Sequence, residues 1–393
     1  METAGELAPS ARVLLGPGPS SVPSRVLKAM ATPLVGHLDP EFVRLMEETK
    51  ALLRFVFQTK NTLTLPISGT GSAGMEACFV NLIEPEDEVV VGVNGVFGTR
   101  MVDIVERCRA KPIKIETEWG RVFSPEQVQA ALSQCRRPKL VALVHAETST
   151  GAWQPLDEMA KLVHAAGALL LVDAVTSLGG CPLKVDEWGI DACYSGTQKC
   201  LSCPPGLSPV TFGQAALDVL HRRKTKVQSW YLDLTMIEKY WGEERVYHHT
   251  APISMNYALR EALRLVQEEG LEARFRRHER NHLALAAGLA AMGLPLAAQE
   301  GHRLWTLNSV TIPAGVDDAA VRRQLLDEFN IEIGAGLGPL RGKIWRIGLM
   351  GDSSSRANVL LVLSALEEIL RKQGHACAPG AGVAAAQTAY AGA

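Results

Sequence analysis

The chain has 393 residues, 47% hydrophobic and 21% charged, with 40 basic and 42 acidic side chains and a formal net charge of −2. That is enough chain for one large α/β domain and a smaller one. The balance excludes a broad polyanion- or nucleic-acid-binding surface, and no run approaches the ~20 apolar residues of a membrane span.

Met1 to Glu6 is acidic and lacks the apolar core of an export signal, and Ala391-Gly392-Ala393 matches no receptor-read address, so a cytoplasmic location is expected. Residues 1–15 read as a leader, and Gly16-Pro17-Gly18-Pro19-Ser20 opens the folded part with a rigid, turn-prone segment. From Glu41 to Gln58, Phe42, Leu45, Met46, Leu52, Leu53, Val56 and Phe57 recur at helical spacing. The chain then alternates. Glu88–Val91, Leu140–Val144 and Leu169–Val172 read as buried strands, with helical patterns such as Pro125–Cys135 and Leu156–Ala166 between them. Apolar runs without polar alternation, separated by helices, predict a mainly parallel sheet covered on both faces, hence an α/β fold.

A short basic run, Arg222 to Lys226, suits a solvated loop or helix end. One or two charge-rich helices follow from Ala258 to Leu289, with Gly270 as a break, then strand-like Ser309–Ile312 and Ile344–Ile347 and a helix from about Ala357 to Lys372. The expected organisation is a large domain over 16–265, a smaller α+β domain over 266–376 and a flexible Ala/Gly-rich tail over 377–393. Of eight scattered cysteines, Cys200 and Cys203 form a C-x-x-C without the second pair a structural zinc wants. Two packed thiols are the simpler reading, and no metal site is expected.

Four segments carry chemistry. Ser68-Gly69-Thr70-Gly71-Ser72-Ala73-Gly74 follows an apolar run and enters a helix, so its backbone N–H groups and hydroxyls would face a phosphate at the positive end of the helix dipole. Gly69 to Gly74 also matches the dinucleotide string G-x-G-x-x-G, which keeps a nicotinamide oxidoreductase as a rival, although no ribose-binding acid follows at a strand end. Asp173 ends a buried strand, where a carboxylate needs a partner; a protonated pyridine nitrogen would serve, and so would a helix cap or an ion pair. Lys199, 26 residues later, sits among small and apolar residues, where desolvation favours the neutral amine that Schiff-base chemistry requires. An acid for a pyridinium and a lysine for an aldehyde are what pyridoxal phosphate asks of a protein. Arg346, between Trp345 and Ile347, is costly on a strand unless it meets an anion, either a substrate carboxylate or a structural partner.

With these segments the chain resembles the class V aminotransferases of fold type I, most closely the alanine–glyoxylate / serine–pyruvate group. The matching stretches are Leu15–Ser20, Phe55–Thr59, Ser68–Gly71, His145–Gly151, Val172–Val175, Ser195–Lys199, Tyr247–Thr250 and Arg346–Gly348, in the family's order over about Val13 to Gln373. The resemblance implies a large domain with a mainly parallel seven-stranded sheet between helices and a smaller C-terminal α+β domain. It makes Lys199 the Schiff-base and proton-transfer lysine and Asp173 the partner of the pyridine nitrogen. Thr70, Gly71, Ser72 and Gln198 would hold the phosphate, and Tyr247 and Thr250 would reach the phosphate of a neighbouring subunit in a homodimer with shared sites. Thr148 would contact the ring or its phenolic side, Val175 would pack on one face, and Arg346 would bind the substrate carboxylate beside Gly18.

Two positions and one stretch depart from the pattern of known members. Phe97 stands where animal members stack a Trp on the ring, Thr197 replaces a Ser, and Gly36 to Glu41 looks more bacterial than peroxisomal. The expected reaction is transamination from L-alanine or L-serine to glyoxylate or pyruvate. 2-Aminoethylphosphonate–pyruvate and 3-hydroxykynurenine transaminases share much of the same pattern.

Overall fold

Seven strands make the central sheet of the computed structural model, which describes residues 5–392. They are β1 (Leu63–Ser68), β2 (Glu88–Val93), β3 (Lys111–Glu116), β4 (Pro138–Val144), β5 (Leu169–Asp173), β6 (Ala192–Tyr194) and β7 (Leu207–Phe212). Their order is β1-β7-β6-β5-β4-β2-β3. Only β7 runs against its neighbours β1 and β6; the other ladders are parallel. The carboxyl ends of β1, β2, β4, β5 and β6 therefore share one edge, where α/β sheets place ligands.

The absence of polar alternation has its cause in two apolar layers. In β2, Val89 and Val91 belong to one core and Val90 to the other, all three fully buried. Helix α1 (Pro40–Phe57) starts at Asp39, whose carboxylate accepts from Glu41 N at 2.8 Å, with Pro40 in the first turn. Its two sides feed both cores, through Phe42 and Met46 on one and Leu52, Leu53, Val56 and Phe57 on the other. Helices α2 (Gly71–Leu82) and α3 (Val96–Arg107) follow β1 and β2 directly.

Gly270, at φ 78°, separates α4 (Ile253–Glu269) from α5 (Leu271–Ala291). Beyond them a small antiparallel sheet, in the order β8-β10-β9, joins β8 (Leu307–Thr311), β9 (Gly334–Ala335) and β10 (Ile344–Gly348). Helices α6 (Asp318–Phe329) and α7 (Arg356–Lys372) enclose a third core around Trp345.

Two terminal expectations change. Within the supposed leader, Val13–Leu14 pairs in parallel with Ile331–Glu332; Met1–Ala4 lies outside the described residues. The segment expected to be a flexible tail contains helix α8 (Ala381–Ala391), with Ala386 and Tyr390 buried. The one glycine of α8, Gly382, serves packing: a Cβ on Gly288 of α5 would lie 2.7 Å from Gly382 O, so the two backbones approach closely. Among the described residues no helix is long and apolar enough to cross a membrane.

Candidate active site

The loop after β6 delivers Lys199 to the carboxyl edge, 9% exposed. Its ammonium donates to Pro17 O, and a Cβ on Gly18 (φ 107°) would stand 2.7 Å from Nζ, so the lysine needs a glycine there. The Ser20 hydroxyl donates to Lys199 O at 2.7 Å and Ser20 N to Gln198 O at 2.9 Å. From α5, Arg274 grips Cys200 O and, at 2.8 Å, Gly179 O. The lysine is thus held by its backbone while burial pushes its amine down to about 8. Cys200 and Cys203 are buried free thiols, both raised in pKa by desolvation.

Asp173 ends β5, 1% exposed. One oxygen accepts from Val175 N and the other from the Tyr194 hydroxyl, each at 2.8 Å. Burial still pushes the carboxyl up to about 6, against those bonds and the charge of Lys199. Two donors leave a carboxylate with lone pairs to spare, so a cationic N–H would fit. Beside it, His145 N donates to Asp173 O at 3.0 Å. The Trp153 indole donates to His145 Nε2 at 2.8 Å, which puts the ring proton on Nδ1, facing Ser177 Oγ. Burial pushes this histidine down to about 3, so it is neutral.

The third wall is the start of α2. Thr70 is its N-cap, with no side-chain bond to the helix, and Gly71 and Ser72 begin the first turn. A Cβ on Gly71 would lie 3.4 Å from Gly196 Cα and 3.5 Å from Val175 Cγ2, so this turn abuts both the lysine loop and the second residue after Asp173. Gln198 Oε1 is buried without a hydrogen-bond partner. A helix N-terminus with two exposed hydroxyls, beside a side-chain amide, fits a phosphate. The string Gly69 to Gly74 is this turn, and its last glycine closes helix on strand: a Cβ on Gly74 would meet Ser208 Oγ at 2.0 Å.

Arg346, on β10 and 6% exposed, donates Nε to Ala335 O at 2.7 Å and Nη1 to Thr148 O at 3.2 Å. Burial pushes it down to about 10, and the charge of Glu147 works against that shift. Phe97 lies in the first turn of α3 with the Arg100 guanidinium 5.0 Å from its ring centroid. Thr148 is buried, its hydroxyl paired with that of Thr176. Tyr247 and Thr250 are exposed, the tyrosine ring 5.2 Å from that of His37. Their loop reaches the end of β1 through His249, whose Nε2 lies 2.6 Å from Ser68 Oγ.

Sequence reasoning gave no role to Tyr194, His145, Glu147 or His249, although three of them lie inside the matching stretches and Tyr194 immediately precedes one. Their contacts with Asp173, Trp153, Phe97 and Ser68 depend on how the chain folds, and a motif read along the chain does not reveal them. An acid, a buried amine and a helix N-terminus, all brought to the carboxyl edge of the sheet, fit pyridoxal phosphate.

Comparison with known proteins points the same way. Residues 12–342 match the family model described as aminotransferase class-V. The (S)-ureidoglycine–glyoxylate transaminase of Bacillus subtilis is 45% identical over 98% of this chain and 97% of its own. The alanine–glyoxylate aminotransferase of Callithrix jacchus is 44% identical over 92% of this chain and 88% of its own. Among solved structures, an alanine–glyoxylate aminotransferase from Nostoc sp. superposes with a TM-score of 0.93 at 52% identity, covering 94% of this chain and 98% of that one.

Proposed function

The chain belongs to the class V aminotransferases and is a pyridoxal-phosphate-dependent transaminase, and we propose that it passes the amino group of a small L-amino acid, alanine or serine, to glyoxylate. The observation that carries this reading is the near full-length likeness, at 44–52% identity, to transaminases that name glyoxylate. When bound, the cofactor supplies an aldehyde for the amine and a ring that accepts electrons.

The residues take the following parts. Lys199 holds the cofactor and, once displaced, moves the proton at the substrate Cα. Asp173 keeps positive charge on the ring nitrogen. Thr70, Gly71, Ser72 and Gln198 take the phosphate; Val175 and Phe97 flank the ring, and Thr148 meets its phenolic side. Arg346, with only two of its five N–H groups given to protein carbonyls, takes the substrate carboxylate in the space Gly18 leaves open. Tyr247 and Thr250, exposed on their own chain, reach the phosphate of the partner subunit in a homodimer. With Arg346 as the one obvious anion-binding group for the substrate in the small domain, among the described residues, a monocarboxylate fits better than glutamate or aspartate.

A second donor, (S)-ureidoglycine, is favoured by one observation: the Bacillus subtilis relative covers 98% of this chain, where the alanine enzyme from Callithrix jacchus covers 92%. The comparisons favour neither a nicotinamide-dependent nor a phosphonate or kynurenine activity. The test is the visible spectrum of the purified holoprotein. L-Alanine or L-serine should bleach the cofactor band and glyoxylate should restore it, with pyruvate slower. A band bleached by (S)-ureidoglycine but indifferent to alanine and serine selects the second donor. A higher kcat/KM with glutamate or aspartate than with any of these would overturn the reading.

A further inference from the structure

Glu147 is a fully buried carboxylate that the transfer reaction, as assigned above, does not use. It sits on the two-residue strand Ala146–Glu147, which pairs with Ala152–Trp153 just beyond β4. One of its oxygens accepts from both the backbone N and the hydroxyl of Ser149, and the other accepts from Phe97 N at 3.2 Å. Ser149 Oγ in turn accepts from Val96 N at 3.0 Å.

The first N–H groups of α3 are therefore satisfied by a hairpin some 50 residues away. The helix's own N-cap, Gly95, has no side chain to do this. Gly95 also makes room. A Cβ there would stand 2.3 Å from Glu147 Cδ and 2.5 Å from Ser149 Oγ. Carboxylate and helix N-terminus attract each other, and the turn they fix is the one that carries Phe97. The adjoining residue, Thr148, supplies the carbonyl that Arg346 holds.

We propose that Glu147 is a positioning residue of the transaminase, locking the first turn of α3 to the hairpin after β4 so that Phe97 is held over the cofactor ring. This rests on the assignment of Phe97 as the ring-stacking residue. The carboxylate's two oxygens accept from Ser149 and from Phe97 N, bonds that oppose the burial pushing Glu147 up to about 7. Glu147→Gln keeps the volume but turns its NH2 toward either Ser149 N–H or Phe97 N–H, which leaves one donor facing another.

The experiment compares holoprotein of wild type, Glu147→Gln, Ser149→Ala and Phe97→Leu. It reads the visible circular dichroism of the bound cofactor and the rate of cofactor loss into a trapping apoenzyme. Expected are a weakened dichroic band and cofactor loss faster by about tenfold in Glu147→Gln, about the effect of one lost hydrogen bond to a charged group. Phe97→Leu should match it, Ser149→Ala should fall between, and combining Glu147→Gln with Phe97→Leu should add little. Wild-type dichroism and off-rate in Glu147→Gln and Ser149→Ala, with both altered in Phe97→Leu, would overturn the role of Glu147. If Phe97→Leu is itself unaltered, the assignment of Phe97 fails first and the proposal falls with it. A loss of thermal stability with unchanged dichroism would mark Glu147 as structural only and would also overturn it.

Discussion

The Tyr194 hydroxyl donates to Asp173 Oδ2 at 2.8 Å, and the same two residues face each other in the register of the parallel ladder between β5 and β6. The sheet itself thus sets the orientation of the acid. Burial pushes Asp173 up to about 6 from an ordinary 3.8. The folded apoprotein therefore holds a proton that the unfolded chain gives up, and this contribution is full below pH ~4 and lost as pH rises through about 6. Above that, Asp173 is a buried charge awaiting its cation. Asp173→Asn should stabilise the apoprotein by about 1–3 kcal/mol at pH 7.5, a gain that shrinks toward pH 5 in denaturant titrations. It should also lower kcat by about 100-fold or more, since a neutral amide cannot hold charge on the ring nitrogen.

Lys199, pushed down to about 8, must be neutral to attack an aldehyde. In stopped-flow mixing of apoprotein with pyridoxal phosphate, capture should speed up with pH to about 8 and then level off. An unshifted amine would go on accelerating toward pH 10. Lys199→Ala should develop no visible band at all.

Arg346 offers a planar fork that a lysine cannot reproduce. Arg346→Lys should raise KM for alanine by about 10–100-fold while leaving kcat within a few-fold. An equal fall in kcat at unchanged KM would remove Arg346 from substrate binding.

Gly18 has a φ of 107°, and a Cβ there would crowd the lysine amine. Gly18→Ala should fold at a cost of about 1–3 kcal/mol for the strained φ, since the clash itself is with a flexible side chain, but should capture cofactor slowly or not at all. Calorimetry beside the visible titration separates those outcomes.

The Tyr390 hydroxyl donates to Asn281 Oδ1 at 2.7 Å, and the Arg280 and Arg356 guanidinium carbons lie 5.5 and 5.1 Å from its ring centroid. Tyr390→Phe should cost about 1 kcal/mol in denaturant titrations. Deleting residues 381–393 should cost more, since it uncovers the glycine face of α5.

Legible along the chain were the residues whose chemistry makes an isolated demand, and the structure does bury an amine at Lys199, end a strand on Asp173 and open a helix at Gly71. The strand positions followed from β-branched runs such as Val89–Val91. Tyr194, His145 and Glu147 escaped because a buried polar side chain acquires its meaning from its partner. Each partner here comes through strand pairing or from the start of a distant helix: Asp173 and Trp153 by register, Phe97 from α3. The C-terminal helix escaped for a different reason. Alanine and glycine at its positions look like a lack of structure along the chain, and only the closeness of Gly288 and Gly382 shows that smallness is what the contact requires.

The N-terminal peptide has one further consequence. Leu15 O accepts from Gly348 N, two residues from Arg346, and Pro17 O receives the Lys199 ammonium. Three residues of main chain thus tie the strand that carries Arg346 to the amine of Lys199. They work as a tie-rod: the spacing between guanidinium and amine is written into the backbone and not into either side chain. An insertion between Leu15 and Pro17 should therefore shift Arg346 and Lys199 relative to each other without replacing any side chain of the site.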